Sequence, residues 1–162
     1  MGQSNSTQQK KYEVTPVVYK LSPKKVKPIV NKLEARKKHF IKKYHIDIKL
    51  CKKLQPLTIY KKDGCPYCIN AVQLCKIVNI KPIEKLTKNN EDFIKKTTSD
   101  YKYVPVIYCK NSKLICKKLN KKYDRNDHTI FIGGFNDLIN LLSTVSANIN
   151  IDNFIKDINK CQ

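Results

Sequence analysis

Leu57-Thr58-Ile59-Tyr60, followed by Cys65-Pro66-Tyr67-Cys68 and then Ile69 to Val78, is the stretch whose reading decides the fold. The four residues before the cysteine tetrapeptide predict a short strand, and the ten after it predict a helix. Pro66 falls at the first helical position, where its missing N–H leaves no bond unmade. Cys65 is thereby placed at the positive end of a helix dipole, which favours a thiolate over a thiol. Cys68 lies one turn on, within reach to close a disulfide. Strand, turn and helix with CxxC at the helix start predict thiol–disulfide exchange. Cys65 is the nucleophile and Cys68, less exposed, the resolving thiol. Lys62, three residues before Cys65, adds positive charge from the preceding loop.

Downstream, the pattern from Leu57 reads strand, helix, strand, helix, strand, strand, helix. The second strand is expected near Lys81–Leu86, and a helix around Asn90–Thr98 with Glu91 and Asp92 in its first turn. Val104-Pro105-Val106-Ile107-Tyr108 and His128-Thr129-Ile130-Phe131-Ile132 predict two more strands. Gly133-Gly134 turns into a helix from about Asn136 to Leu142, and a last amphipathic helix is expected at about Ile151–Ile158.

These residues resemble a glutaredoxin of the dithiol type, within the thioredoxin fold, over about Leu57 to Leu142. CPYC is the common tetrapeptide of that family. Lys62 stands where a family lysine stands. Val104-Pro105 occupies the place of the family's Thr-Val-Pro, whose proline is cis. Gly133-Gly134 followed by Asp137-Leu138 looks like the family's Gly-Gly-x-x-Asp-Leu turn. The resemblance implies an α/β class, a thioredoxin-like fold with a central mixed four-stranded sheet flanked by helices. It implies glutathione as co-substrate, and disulfide-containing or glutathionylated proteins as partners; the alternative reading is a thioredoxin-fold adaptor or thioredoxin-like electron donor tethered by its basic arm to a membrane or an acidic partner.

On that resemblance, Lys62 meets the glycine carboxylate of glutathione. The γ-glutamyl carboxylate falls to the backbone N–H groups of Asn136 and Asp137, just after Gly134. The Asp137 side chain pairs with the γ-glutamyl ammonium. Val104, before Pro105, offers strand-like backbone pairing, and Tyr67 forms a wall. Two departures stand out. Tyr103 replaces the family's threonine, and residues 109–127 form a long basic insertion with Lys110, Lys113, Lys117, Lys118, Lys121, Lys122 and Arg125.

The chain has 162 residues, 41% hydrophobic, with 33 Lys+Arg against 13 Asp+Glu and a net charge of +20. Such a field draws anionic partners; a Lys/Asn/Ile-rich composition is equally what an AT-rich genome produces, in an AT-rich organism or a large DNA virus of eukaryotes. The expected division is a flexible basic arm at 1–27, an amphipathic helical extension at 28–54, a glutaredoxin-like domain at 55–142 and a C-terminal helical extension at 143–162. Pro16, Pro23 and Pro28 suit an extended arm, and Pro28 suits a helix start. Ile29, Val30, Leu33, Phe40, Ile41, Tyr44 and Ile48 then recur at helical spacing between basic residues. This stripe either packs on the following domain or lies on an anionic membrane surface. Aromatic interleaving is sparse in the arm, so nucleic acid is the weaker partner.

Seven cysteines are scattered along the chain, with no secretory or transmembrane run, which fits a reducing cytoplasmic compartment (host cytoplasm or virion, were the source viral). Cys75 reads as a buried apolar residue, and Cys109 and Cys116 as exposed loop thiols or a second redox pair. His39, His45 and His128 show no metal spacing beside CxxC, so no metal is expected. Met1-Gly2-Gln3-Ser4-Asn5-Ser6 matches the N-myristoylation pattern with Gly2 as acceptor; an ordinary polar start is the other reading. A single acyl chain binds membranes marginally, and the basic arm would be the second signal for peripheral association.

Overall fold

The computed structural model describes residues 23–98, 102–144 and 149–162, with side chains from Val30 onward. The Gly2 pattern and most of the arm lie outside the described residues. Element order is α1 (Pro23–Lys43), α2 (Ile48–Lys53), β1 (Thr58–Lys61), α3 (Pro66–Ile77), β2 (Ile83–Leu86) and a 3-10 turn (Thr87–Asn89). It continues with α4 (Glu91–Thr98), β3 (Val106–Lys110), α5 (Lys113–Lys118), β4 (Thr129–Gly133), α6 (Phe135–Leu142) and α7 (Ile151–Asn159).

The four strands form one mixed sheet in the order β2-β1-β3-β4. β1 and β2 run parallel, joined through α3, whereas β3 pairs antiparallel with both β1 and β4. Side chains alternate across the sheet, so neighbours in sequence reach opposite cores. Ile59, Ile107, Cys109 and Ile132 enter the larger core with Leu50, Leu74, Leu138 and Phe154. Tyr60, Val106 and Tyr108 face the other way, onto Ile94 of α4, with Val104 and Phe131 packed against them. Both faces of β1 and β3 are therefore covered, and their apolar runs are nearly continuous for that reason.

The N-terminal part departs from expectation in two ways. The helix starts at Pro23 rather than Pro28, so residues 23–27 are helical and Pro28 lies inside α1. And the stripe from Val30 to Ile48 is not one helix. His45 turns back at φ 49°, and Ile46 forms an antiparallel bridge with Ser143. Asp47 N–H donates to the Leu142 carbonyl at 2.9 Å, and Ser143 Oγ to the Tyr44 carbonyl at 2.8 Å. A new helix, α2, then starts under an Asp47 cap whose Oδ1 accepts from Leu50 N–H at 2.9 Å.

Only the C-terminal part of the apolar stripe is buried in the larger core: Phe40 and Tyr44 pack there with Leu50, Leu54 and residues of α3, α6 and α7, Ile41 and Ile48 lie against it, and Val30 is 49% exposed. Phe154 of α7 is fully buried between Phe40 (ring centroids 5.0 Å apart), Tyr44 (4.5 Å) and Phe135 (6.3 Å). Each such pair adds about 0.5–1.5 kcal/mol beyond its buried area. Asp157, one turn beyond Phe154, accepts from Lys43 Nζ at 2.6 Å, Tyr44 OH at 2.9 Å and Lys160 Nζ at 2.8 Å. These donors, Lys160 foremost, hold its carboxyl well below the usual range.

The insertion between β3 and β4 also differs from expectation, because it contains α5. Ser112 caps it through Oγ, which accepts from Ile115 N–H at 3.3 Å. Asn111 Nδ2 donates to the carbonyls of Asp124 (2.7 Å) and Asp127 (2.9 Å), tying the insertion's ends together. Cys109 and Cys116 are buried, not exposed. Burial pushes the Cys109 thiol up to about 12. Cys75 is fully buried, in line with the apolar reading of that position.

Candidate active site

Two backbone features lie beside Cys65, and a third is linked to its helix through aromatic contact. The first is its own turn. Gly64 takes φ +71°, Cys65 N–H donates to the Lys62 carbonyl at 3.3 Å, and the extended Cys65 forms the N-cap of α3, with Pro66 following at its start. Cys65 Sγ accepts from Cys68 N–H at 3.3 Å, taking one of the donors a helix start leaves unpaired. This is where negative charge on an acceptor is favoured.

The second is the loop before β3. The Val104–Pro105 peptide bond is cis, and the Cys65 thiol lies 3.9 Å from the Val104 carbonyl. The third is the turn into α6, where Gly133 takes φ +134° and Gly134 is the N-cap. Asp137 Oδ2 reaches back to accept from Gly134 N–H at 2.7 Å. Tyr67 joins this turn to the Cys65 helix, with its ring centroid 6.1 Å from that of Phe135.

The two cysteines differ in kind. Cys65 is partly accessible, whereas Cys68 is 1% exposed. Burial first, then the hydrogen bond to the Cys65 sulfur, pushes the Cys68 thiol up to about 12. One sulfur is thus reachable from solvent and the other waits behind it as a neutral thiol. That arrangement suits attack by Cys65 and resolution by Cys68.

The remaining expected residues are placed as follows. Lys62 is exposed and lines a cleft of about 190 Å³ together with Gly64, Cys68, Ile69, Gln73 and Lys76. Its neighbour Lys61 is occupied, paired with Glu84 at 2.5 Å. Tyr67 is half-exposed, and Asn136 and Asp137 are exposed at the start of α6. The Asp137 carboxylate already spends one oxygen on Gly134, which leaves the other for a ligand. A Cβ on Gly133 would fall on that carboxylate, so glycine is required there by space as well as by φ.

Two contributors escaped the sequence reading. Phe135 backs Tyr67 and carries no motif signal beyond being an apolar residue after two glycines. Lys121, one of seven basic residues in the insertion, donates from Nζ to the Phe131 carbonyl at 2.5 Å and lies 4.9 Å from the Phe131 ring centroid. Burial lowers its pKa, and its bond to Phe131 sets the insertion against β4, the strand that leads into the α6 turn. Nothing in its local sequence distinguishes it from its neighbours.

Among the described residues, no group of three or more His, Cys, Asp or Glu side chains gathers as a metal would need, and no helix is long and apolar enough to cross a membrane. Neither a protein-family model, nor a curated protein, nor a solved structure matches the chain.

Proposed function

We propose that this chain is a glutathione-dependent thiol–disulfide oxidoreductase of the glutaredoxin type, built on a thioredoxin-like fold. The observation that carries the reading is the pairing of an accessible Cys65 sulfur at a helix N-cap with a buried Cys68 thiol one turn away. The Val104 carbonyl, 3.9 Å from that sulfur, and the Tyr67 ring, set against Phe135 of the α6 turn, add support.

Two branches follow. Against a protein–glutathione mixed disulfide, the Cys65 thiolate attacks the glutathione sulfur. The protein leaves as a thiolate and Cys65 carries the glutathione. A second glutathione thiolate then attacks the glutathione sulfur of that mixed disulfide, forming glutathione disulfide and freeing Cys65. Against a protein disulfide, Cys65 attacks one sulfur and the other leaves as a thiolate. Cys68 then loses its proton and attacks Cys65, which releases the substrate thiol. The Cys65–Cys68 disulfide is reduced by two glutathiones.

In this reading Lys62 takes the glycine carboxylate. Val104, preceding Pro105, pairs with the cysteine backbone. The N–H groups of Asn136 and Asp137, beside Gly134, take the γ-glutamyl carboxylate, the open oxygen of Asp137 takes the ammonium, and Tyr67 walls the groove. A free dithiol of this kind belongs in a reducing compartment, so we place the protein in the cytoplasm.

The test is a glutathione-coupled assay on a glutathionylated protein and on a disulfide substrate. Cys65→Ser abolishes turnover of both. Cys68→Ser retains deglutathionylation and loses disulfide reduction. Loss of both activities in Cys68→Ser would refute the division of roles.

A further inference from the structure

A groove of about 540 Å³ runs between α1 and α7, and none of its lining residues belongs to the turn that holds Cys65. Its floor includes Phe40, Ala35 and Cys161. Its volume lies within the ~300–1,000 Å³ range of binding clefts. Along one wall stand Lys32, Arg36, His39 and Lys43, all lining the groove. Their spacing of four, three and four residues keeps them on one face of α1 for about 16 Å.

Lys160 stands on the opposite wall. Four cations therefore face one carboxylate, Asp157, which is already shared by Lys43, Lys160 and Tyr44. Arg36 spends one donor, Nη1, on the Lys160 carbonyl at 3.1 Å and keeps the others. The groove is left with an excess of three positive charges over an apolar floor.

The distribution of that charge selects the occupant. A fatty acid or other single-headed amphiphile carries its negative charge at one end and needs cations at one end only. Here a basic residue recurs at every turn along the wall. That matches a ligand whose negative charges recur at the same period beside an apolar stripe. We propose that the α1–α7 groove docks an acidic amphipathic helix of a partner protein. Its apolar residues would lie on Ala35 and the aliphatic stems of the flanking Lys32 and Arg36, above the nearly buried Phe40, with carboxylates at three- to four-residue spacing along Lys32, Arg36 and His39. Such a surface brings a protein partner to the chain independently of the chemistry at Cys65.

The probe is a fluorescein-labelled synthetic 16-residue helix with leucines on one face and flanking glutamates, measured by anisotropy on the full chain at physiological salt. The expected result is saturable binding by the wild type. Arg36→Glu/His39→Glu, both exposed on α1, weakens it about tenfold or more. Lys113→Glu/Lys117→Glu on α5, which removes at least as much positive charge away from the groove, leaves it nearly unchanged. A version of the peptide with glutamine for glutamate also binds about tenfold more weakly or worse. Disulfide exchange stays at the wild-type level in both variants. Equal weakening by both double variants would reduce the effect to bulk charge and overturn the proposal. So would equal binding of the glutamine peptide. So would a groove-dependent response to laurate or to phosphatidylserine vesicles with none to the peptide.

Discussion

Replacing Gly133 with alanine tests the geometry of the α6 turn. Gly133 sits at φ +134°, a backbone region that L side chains rarely enter. Holding alanine there costs about 1–3 kcal/mol. The added Cβ also falls on the Asp137 side chain, its Cβ included, so the carboxylate must swing away and release Gly134 N–H, now 2.7 Å from Oδ2, and the turn itself must shift. A hydrogen bond to a charged group contributes about 1.5–3 kcal/mol. Asp137 is exposed, so water replaces part of that bond and the lower end applies. Together the two effects destabilise the fold by about 3 kcal/mol.

With a urea m-value near 2 kcal/mol/M, the unfolding midpoint falls by about 1.5 M. Asp137→Ala alone loses the hydrogen bond, about 1.5 kcal/mol. Because Gly133→Ala has already broken that bond, the double variant is only as unstable as Gly133→Ala. The cycle therefore shows a coupling of about 1.5 kcal/mol. Strict additivity, or a Gly133→Ala loss below about 1 kcal/mol, would refute the argued contact.

Further outcomes follow from the same contacts. Iodoacetamide at neutral pH alkylates Cys65 ahead of Cys68, which is 1% exposed with its thiol pushed up to about 12; mass spectrometry of the peptide containing both cysteines reads the order. Phe154→Ala, at a fully buried ring between α1, α3 and α6, costs about 3–5 kcal/mol by denaturant unfolding, showing that α1 and α7 share one core with the cysteine helix. Asp157 has a folded-state pKa below its unfolded value, so its contribution is fully present above about pH 5 and is lost as pH falls toward the folded value. The stability difference between wild type and Asp157→Asn therefore shrinks on acidification, as followed by urea titrations at several pH values.

What could be read from the amino-acid order was local. Thr58–Lys61, Pro66 at the start of α3, and Gly133-Gly134 before α6 each carry their structure in neighbouring residues, and these define the candidate site. The α1–α2 break was not legible, because helical spacing of apolar residues continues from Ile41 through Tyr44 to Ile48. The interruption is made by contacts with Leu142 and Ser143, about a hundred residues away along the chain. Pro28 looked like a helix start because proline suits that position, yet Pro23 takes it. The helix α5 had a signal in Ser112 preceding Leu114, Ile115 and Cys116, hidden within a strongly basic stretch. Burial of Cys109 and Cys116 depends on how the insertion folds back, which no local pattern encodes.

The role of Cys65 is tested most directly by trapping. Cys68→Ser is mixed with a glutathionylated protein in the absence of free glutathione, quenched with acid and digested for mass spectrometry. The account predicts one glutathionyl group per chain, on Cys65. Glutathione on another cysteine, or on none while the substrate stays glutathionylated, would contradict it.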